Sequence, residues 1–282
     1  MKTGLVLEGG AMRGIYTAGV LDALMEHSVY TDGVIGVSAG AIHGCSYVSG
    51  QHGRSIRYYL KYMKDPRFMS FRSLLRTGDL VGVQFCYHDL PERLDVFDHD
   101  AFEQSKVKFY VVCTNVETGK AEYIHMESMK EIAYAQASAS MPLVSRIVEV
   151  GGKKLLDGGV ADSIPVEAFV RMGYERNLVV LTRPAGYQKK PSRHSLLRRV
   201  YREYPEFVRA MEQRYLQYNQ TLEILDRMEK EGSVMIIRPS RDPKIGRMEK
   251  KREKVLDVYQ LGYGDAMEKI EQVKEFLHTD CL

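Results

Sequence analysis

Twice within the first fifty residues a short apolar run ends in glycines and gives way to a helix-like stretch. That order limits the chain to folds in which helices pack against a sheet. Residues 4–8 form the first buried strand, Gly9-Gly10 breaks it, and residues 13–26 follow as a helix. Residues 33–37 repeat the pattern, with a second helix starting near Ser38. Further on, residues 54–64 predict a helix. Residues 107–114 predict a strand paired in a hairpin with 121–124 across Glu117-Thr118-Gly119-Lys120. Residues 130–138 predict a helix stopped by Pro142, and 146–150 with 153–156 a hairpin turning at Gly151-Gly152. Residues 178–182 read as another buried strand, and the whole as an α/β sandwich.

Beyond Pro184 the pattern changes. A polar linker runs to Pro191, and residues 195–231 then predict one long helix interrupted near Pro205. Val208, Met211, Tyr215, Tyr218, Leu222 and Leu225 recur at alternating steps of three and four, which is an apolar seam suited to packing. Residues 234–237 predict a late strand and 264–277 a closing helix. The expected division is therefore a body, 1–185, and a basic helical lid or appendage, 186–282, whose late strand (233–237) docks on the same core.

Between Lys189 and Lys254 there are 18 Lys+Arg against 10 Asp+Glu, an excess of +8 on a chain whose net charge is +3. A basic segment on a mildly acidic body is suited to an anionic surface, such as a membrane, or is simply a solvated helical face. Tyr201, Tyr204, Tyr215 and Tyr218 interleave with the charges, either as an interfacial stripe or as core packing. Nucleic acid is not an expected partner, because no helix-turn-helix, zinc or RNP pattern accompanies the basic segment.

The four cysteines, Cys45, Cys86, Cys113 and Cys281, show no CxxC pair and no zinc spacing. They read as free thiols in a reducing compartment, with no metal and no cofactor expected. No signal peptide is evident at residue 1, and no run approaches the roughly 18 apolar residues of a membrane span. The expected location is the cytoplasm, at most peripheral to a membrane.

Three short motifs carry chemistry. Gly9-Gly10-Ala11-Met12-Arg13-Gly14 lies between a strand and a helix, where free backbone N–H groups and the positive helix end suit an anion. A phosphate and the oxyanion of an acyl-transfer intermediate both fit, and so does a purely structural turn. A dinucleotide site fits poorly, since Ala11 breaks the G-x-G-x-x-G pattern and the second strand ends in Ser38 rather than in an acid. Gly36-Val37-Ser38-Ala39-Gly40 has the nucleophile-elbow arrangement, in which small residues two before and two after the serine permit a sharp turn. Asp157-Gly158-Gly159 follows the apolar pair Leu155-Leu156 and is either a plain Asp-Gly turn or a carboxylate presented into a cleft.

A nucleophilic serine needs a base. After Asp157 the only histidines are His194, in a basic linker, and His278, near the chain end, and neither sits in a motif. His43 and His125 come earlier and read as core or surface residues.

These blocks resemble the signature of the patatin-like phospholipase family: Leu7-Glu8-Gly9-Gly10 with Met12-Arg13-Gly14, Gly36-x-Ser38-x-Gly40, and Asp157-Gly158-Gly159, in that order. Ala137-Ser138-Ala139-Ser140-Met141-Pro142 resembles the family as well, and the similarity spans roughly residues 4–182. The resemblance implies a three-layer α/β/α sandwich with a mostly parallel central sheet. It also implies a lipid acyl hydrolase of the phospholipase A or lysophospholipase kind, working without metal. Ser38 would be the nucleophile and Asp157 its proton acceptor, with an oxyanion held around Gly9, Gly10 and Ala11 and with Arg13 orienting the loop or meeting a phosphate. The chain departs from the family at Ala11, where glycine is usual, and at Ser163, where asparagine is frequent. A non-catalytic lipid- or anion-binding module and a transacylase are the competing readings.

Overall fold

The computed structural model of the chain describes residues 1–192, 195–246 and 248–278. Its strands are β1 (Lys2–Leu7), β2 (Gly33–Val37), β3 (Lys108–Asn115), β4 (Ala121–His125), β5 (Val148–Val150), β6 (Lys153–Asp157), β7 (Tyr174–Val180) and β8 (Val234–Ile237). Its helices are α1 (Gly14–Glu26), α2 (Ala39–Val48), α3 (Arg54–Tyr62), α4 (Phe71–Thr77), α5 (His99–Glu103), α6 (Ile132–Ser138), α7 (Val166–Arg171), α8 (Ser195–Val200), α9 (Pro205–Lys230), α10 (Arg252–Met267) and α11 (Ile270–His278).

The strands make one sheet in the order β5-β6-β3-β2-β1-β7-β8, with β4 also paired to β3. From β3 through β2, β1 and β7 to β8 all neighbours are parallel. At the other end β4 and β6 run antiparallel to β3, and β5 antiparallel to β6, so the sheet is mixed.

Side chains alternate across a strand, and here both faces are covered. Leu5, Leu7, Val34, Val111, Leu178 and Val180 pack into one core with α1, α2, α3, α10 and α11. Val6, Ile35, Val37, Val112, Val179 and Ile236 enter the second core, with Phe169 of α7 and Tyr218 and Leu225 of α9. The result is a three-layer α/β/α sandwich, and each fully buried aliphatic side chain contributes about 1.5–3 kcal/mol to it.

Several sequence expectations shift. The strand expected at 178–182 starts earlier, at Tyr174, and stops at Val180; Thr182 leaves the ladder to bind the Glu8 carboxylate through its N–H and hydroxyl. The long helix is interrupted before Pro205, as expected, into Ser195–Val200 and Pro205–Lys230, with Pro205 in the first turn of the second, where its missing N–H costs nothing. The closing helix begins at Arg252, twelve residues before the expected start, and a second begins at Ile270. The added turns include Gly262. At Gly262 α10 approaches α1 so closely that a Cβ would lie 2.0 Å from the Tyr16 carbonyl oxygen. Tyr16 O–H donates to Asp265 and Tyr259 O–H to Asp22 across the same contact. The tyrosine stripe turns inward: Tyr201 and Tyr218 are buried, and Tyr204 and Tyr215 half-buried. Cys45, Cys86 and Cys113 are free thiols, while Cys281 lies outside the described residues. Among the described residues no helix is long and apolar enough to cross a membrane.

Candidate active site

The meeting of Ser38 and Asp157 is set by one strand. β4 occupies one edge of β3 opposite residues 110–114. Along the other edge β2 runs as far as Val37 opposite Val112, and β6, arriving from the opposite direction, ends at Asp157 opposite Cys113. The carboxyl ends of β2 and β6 therefore meet head-on, one β3 residue apart. Across that junction Ser38 Oγ donates to Asp157 Oδ2 at 2.7 Å.

Each partner is held by its own surroundings. Ser38 sits between β2 and α2 with φ 54° and ψ −120°, a conformation that costs an L-residue energy. The turn is tight enough that a Cβ on Gly36 would lie 2.6 Å from the Ala41 Cα, and one on Gly40 2.6 Å from the Leu7 carbonyl oxygen. The Ser38 N–H donates to Ser138 Oγ at 2.9 Å, and that hydroxyl donates onward to the Val112 carbonyl. Asp157 Oδ1 accepts from the Gly159 N–H at 2.8 Å, its own N–H donates to the Ser140 carbonyl, and its carbonyl accepts from Thr114 Oγ1. Burial pushes the Asp157 carboxyl above the usual carboxylate range, opposed by Arg214, the Ser38 hydroxyl, the Gly159 N–H and Lys189.

The glycine loop completes the site from β1. A Cβ on Gly9 would lie 3.2 Å from the Ser38 Cβ, and Ala11 takes a positive φ of 47° as the chain turns into the 3₁₀ segment Ala11–Arg13 ahead of α1. Gly14 packs against Ala39 of the elbow, where a Cβ would sit 2.5 Å from the alanine methyl. Gly158 passes the Val112 carbonyl at similarly close range.

Ser38 opens onto two different spaces. One is an apolar cavity of about 180 Å³, lined among others by Met12, Ile42, Tyr59, Phe68, Leu90 and Met141. The other is a polar cleft of about 470 Å³ that also holds Gly9, Gly10, Ala11, Arg13, Asp157 and Gly159. His43 shares the apolar cavity, but its Nδ1 lies 3.0 Å from Ser55 Oγ, and burial pushes the imidazole down to about 4, which keeps it neutral. His125 lies beside Glu127 instead. His194 falls outside the described residues, as does the side chain of His278.

Sequence reading missed several residues of the site. Ser138 lies in a quoted segment but carries no motif of its own. Thr114, Arg183, Lys189 and Arg214 are scattered along the chain and converge only through folding. Glu8 is buried beneath the loop, where Thr182 and Tyr218 donate to it.

A family model described as patatin-like phospholipase matches residues 5–170, and a model for a domain of unknown function, DUF6363, matches residues 204–278. The chain is 28% identical over 190 residues to the uncharacterized protein YjjU of Escherichia coli, covering 65% of this chain and 53% of that protein. It is 26% identical over 196 residues to an uncharacterized NTE family protein of Mycobacterium bovis, covering 68% of this chain and 51% of that one. It is 28% identical over 177 residues to lysophospholipase NTE1 of Debaryomyces hansenii, covering 61% of this chain but 11% of that protein. The chain thus spans about half the length of these bacterial relatives and about a tenth of the fungal one. Among solved structures, VipD from Legionella pneumophila matches with a TM-score of 0.48 at 14% identity, over 96% of this chain and 67% of that one.

Proposed function

Because the chain belongs to the patatin-like phospholipase family, we propose that it is a serine acyl hydrolase that cleaves carboxylic esters of lipids through Ser38 and Asp157. The observation that carries this reading is the 2.7 Å bond from Ser38 Oγ to Asp157 Oδ2, made by a serine at a strained elbow between an apolar cavity and a polar cleft.

In this mechanism Asp157 Oδ2 takes the hydroxyl proton as Ser38 Oγ attacks the ester carbonyl. A carboxylate at its ordinary pKa of about 3.9 is a weak base for a serine at neutral pH, and the upward shift from burial narrows the gap. The Ser38 N–H is already engaged by Ser138, so the donors for the developing oxyanion fall to the backbone of Gly9, Gly10 and Ala11. When the tetrahedral intermediate collapses, Asp157 returns the proton to the departing alcohol. Water, deprotonated by the same carboxylate, then releases the acyl group from Ser38. The apolar cavity receives the acyl chain. Arg13 and Gly14 orient the loop from the start of α1, while Gly36, Gly40, Gly158 and Gly159 give the two turns their close approach.

Lipid substrates reside in membranes or micelles, and the cleft mouth suits peripheral contact with an anionic surface. Leu143 and Leu196 line the cleft and are 40% and 60% exposed, and Val200 nearby is 54% exposed beside Arg198 and Arg199. The free thiols support a reducing compartment such as the cytoplasm.

A fluorophosphonate probe tests the nucleophile: wild type labels at Ser38, and Ser38→Ala does not. Labelling that survives the substitution overturns the assignment.

A further inference from the structure

The polar cleft beside Ser38 holds more positive charge than ester hydrolysis uses. Among the described residues Arg13, Arg183, Lys189, Lys190 and Arg214 line it, against a single lining carboxylate, Asp157, which is engaged with Ser38 and Gly159. These cations come from the start of α1, from the segment after β7 and from α9, so only the fold brings them together. Much of what faces them in the protein is aromatic. The Arg183 guanidinium lies 4.3 Å from the Tyr187 ring centre, and Lys189 Nζ lies 4.1 Å from that of Tyr218. The Nε–H groups of Arg13, Arg183 and Arg214 are buried without a hydrogen-bond partner among the described residues.

Gathering like charges has an energetic cost that the folded chain bears. Burial and the neighbouring Arg183 lower the Arg13 pKa. Burial, reinforced by the like charge of Arg214, pushes Lys189 down to about 7. Lys189 is also held in place: its N–H donates to Asn219 Oδ1 and its carbonyl accepts from Asn219 Nδ2 on α9. Glu8, beneath the cluster, is the nearby carboxylate that offsets part of the charge, and its oxygens are taken by Thr182 and Tyr218.

We infer that this cleft is a phosphate subsite selecting lipid esters with a net anionic headgroup, a phosphate monoester or a glycerophosphate, over zwitterionic choline or ethanolamine lipids. Arginine forks and unpartnered N–H donors suit phosphate oxygens. With the ester at Ser38 and the acyl chain in the apolar cavity, the cleft takes the other end of the lipid. A choline or ethanolamine headgroup would bring its own cation among five others, where the one lining carboxylate is already occupied. The inference rests on the acyl-hydrolase reading of Ser38 for its account of the lipid, but binding in the cleft is measurable without turnover.

The test compares lysophosphatidylglycerol, lysophosphatidic acid and lysophosphatidylcholine of one acyl chain as substrates of the whole protein at fixed ionic strength. The expected result is a kcat/KM about tenfold or more higher for the two anionic lipids, carried mainly by KM and shrinking as salt is raised. Arg183→Gln and Lys190→Gln, made separately, should each lower that ratio. Lysophosphatidylcholine turned over as well as the anionic lipids overturns the proposal. A second measurement titrates Ser38→Ala with sn-glycerol 3-phosphate, glycerophosphocholine and inorganic phosphate by calorimetry. Glycerol 3-phosphate should bind most tightly. Inorganic phosphate binding as tightly, with no lipid selectivity, would make the cleft a free-phosphate site and overturn the headgroup assignment. If no lipid and no short ester is hydrolysed, the reading of Ser38 fails while the titration still decides the subsite.

Discussion

Replacing Ser38 by alanine and, separately, by glycine isolates the cost of the elbow from the chemistry of its hydroxyl. Both variants lose Oγ and its bond to Asp157, so a difference between them comes from Cβ alone. In the native turn that Cβ is held at φ 54° and ψ −120°. Such a region costs an L side chain of order 1–3 kcal/mol, and a ψ so far from the left-handed helical well places Ser38 near the upper end, about 3 kcal/mol. Two terms oppose the relief that glycine brings. The looser unfolded chain costs about 1 kcal/mol, and the lost packing of one buried carbon costs about 0.8 kcal/mol. That packing is real, because Ser38 is buried against Gly9. The balance makes Ser38→Gly more stable than Ser38→Ala by about 1 kcal/mol, the reverse of their order in a helix interior. Urea denaturation followed by circular dichroism reads the difference directly, with both proteins inactive. An alanine variant as stable as the glycine variant, or more stable, would refute the claim that the elbow stores strain.

Asp157→Asn should keep the fold and lower kcat/KM for a short neutral ester by about 10²- to 10⁴-fold, the range expected for loss of a positioned base; a loss under fivefold would argue for another base. The rate with that ester should rise with pH as Asp157 ionises, on an acid limb displaced above the ordinary carboxylate range. For an anionic lysolipid KM should increase above about pH 7, where Lys189 loses its charge, while the neutral ester shows no such rise in initial-rate profiles. Half-buried Asp162 accepts from Tyr123 O–H, and burial raises its pKa to about 6. Its folded pKa exceeds the unfolded value, so the stability carried by the protonated form is present near pH 4 and lost as pH rises through 6. Asp162→Asn should therefore stabilise the protein by about 1 kcal/mol at pH 7.5 and by little at pH 4, measured as thermal midpoints at the two pH values.

The alternation of buried strands and helices was legible because each element declares itself locally, through apolar runs and the glycines that end them. What misled was local too. The closing helix is expected to start at Gly264, yet α10 starts at Arg252 and runs through Gly262, where two helices need the space to approach. The tyrosines among the basic residues leave an interfacial stripe and core packing both open, and the inward packing of Tyr201 and Tyr218 decides for the core.

The elbow belongs to what the sequence determines by itself. Gly36, Ser38 and Gly40 lie within five residues, so the small-residue pattern that permits the sharp turn is legible locally, although the close approach at Gly40 is to Leu7 of β1. The 2.7 Å approach of Asp157 does not follow from any local pattern. It arises because β2 and β6 end against each other on one edge of β3, a matter of strand register between segments 119 residues apart. The convergence of Arg13, Arg183, Lys189 and Arg214 is of the same kind. Backbone sterics act between neighbours in sequence, whereas the field in the cleft is a sum over charges that only the packing of α9 on the sheet brings within range.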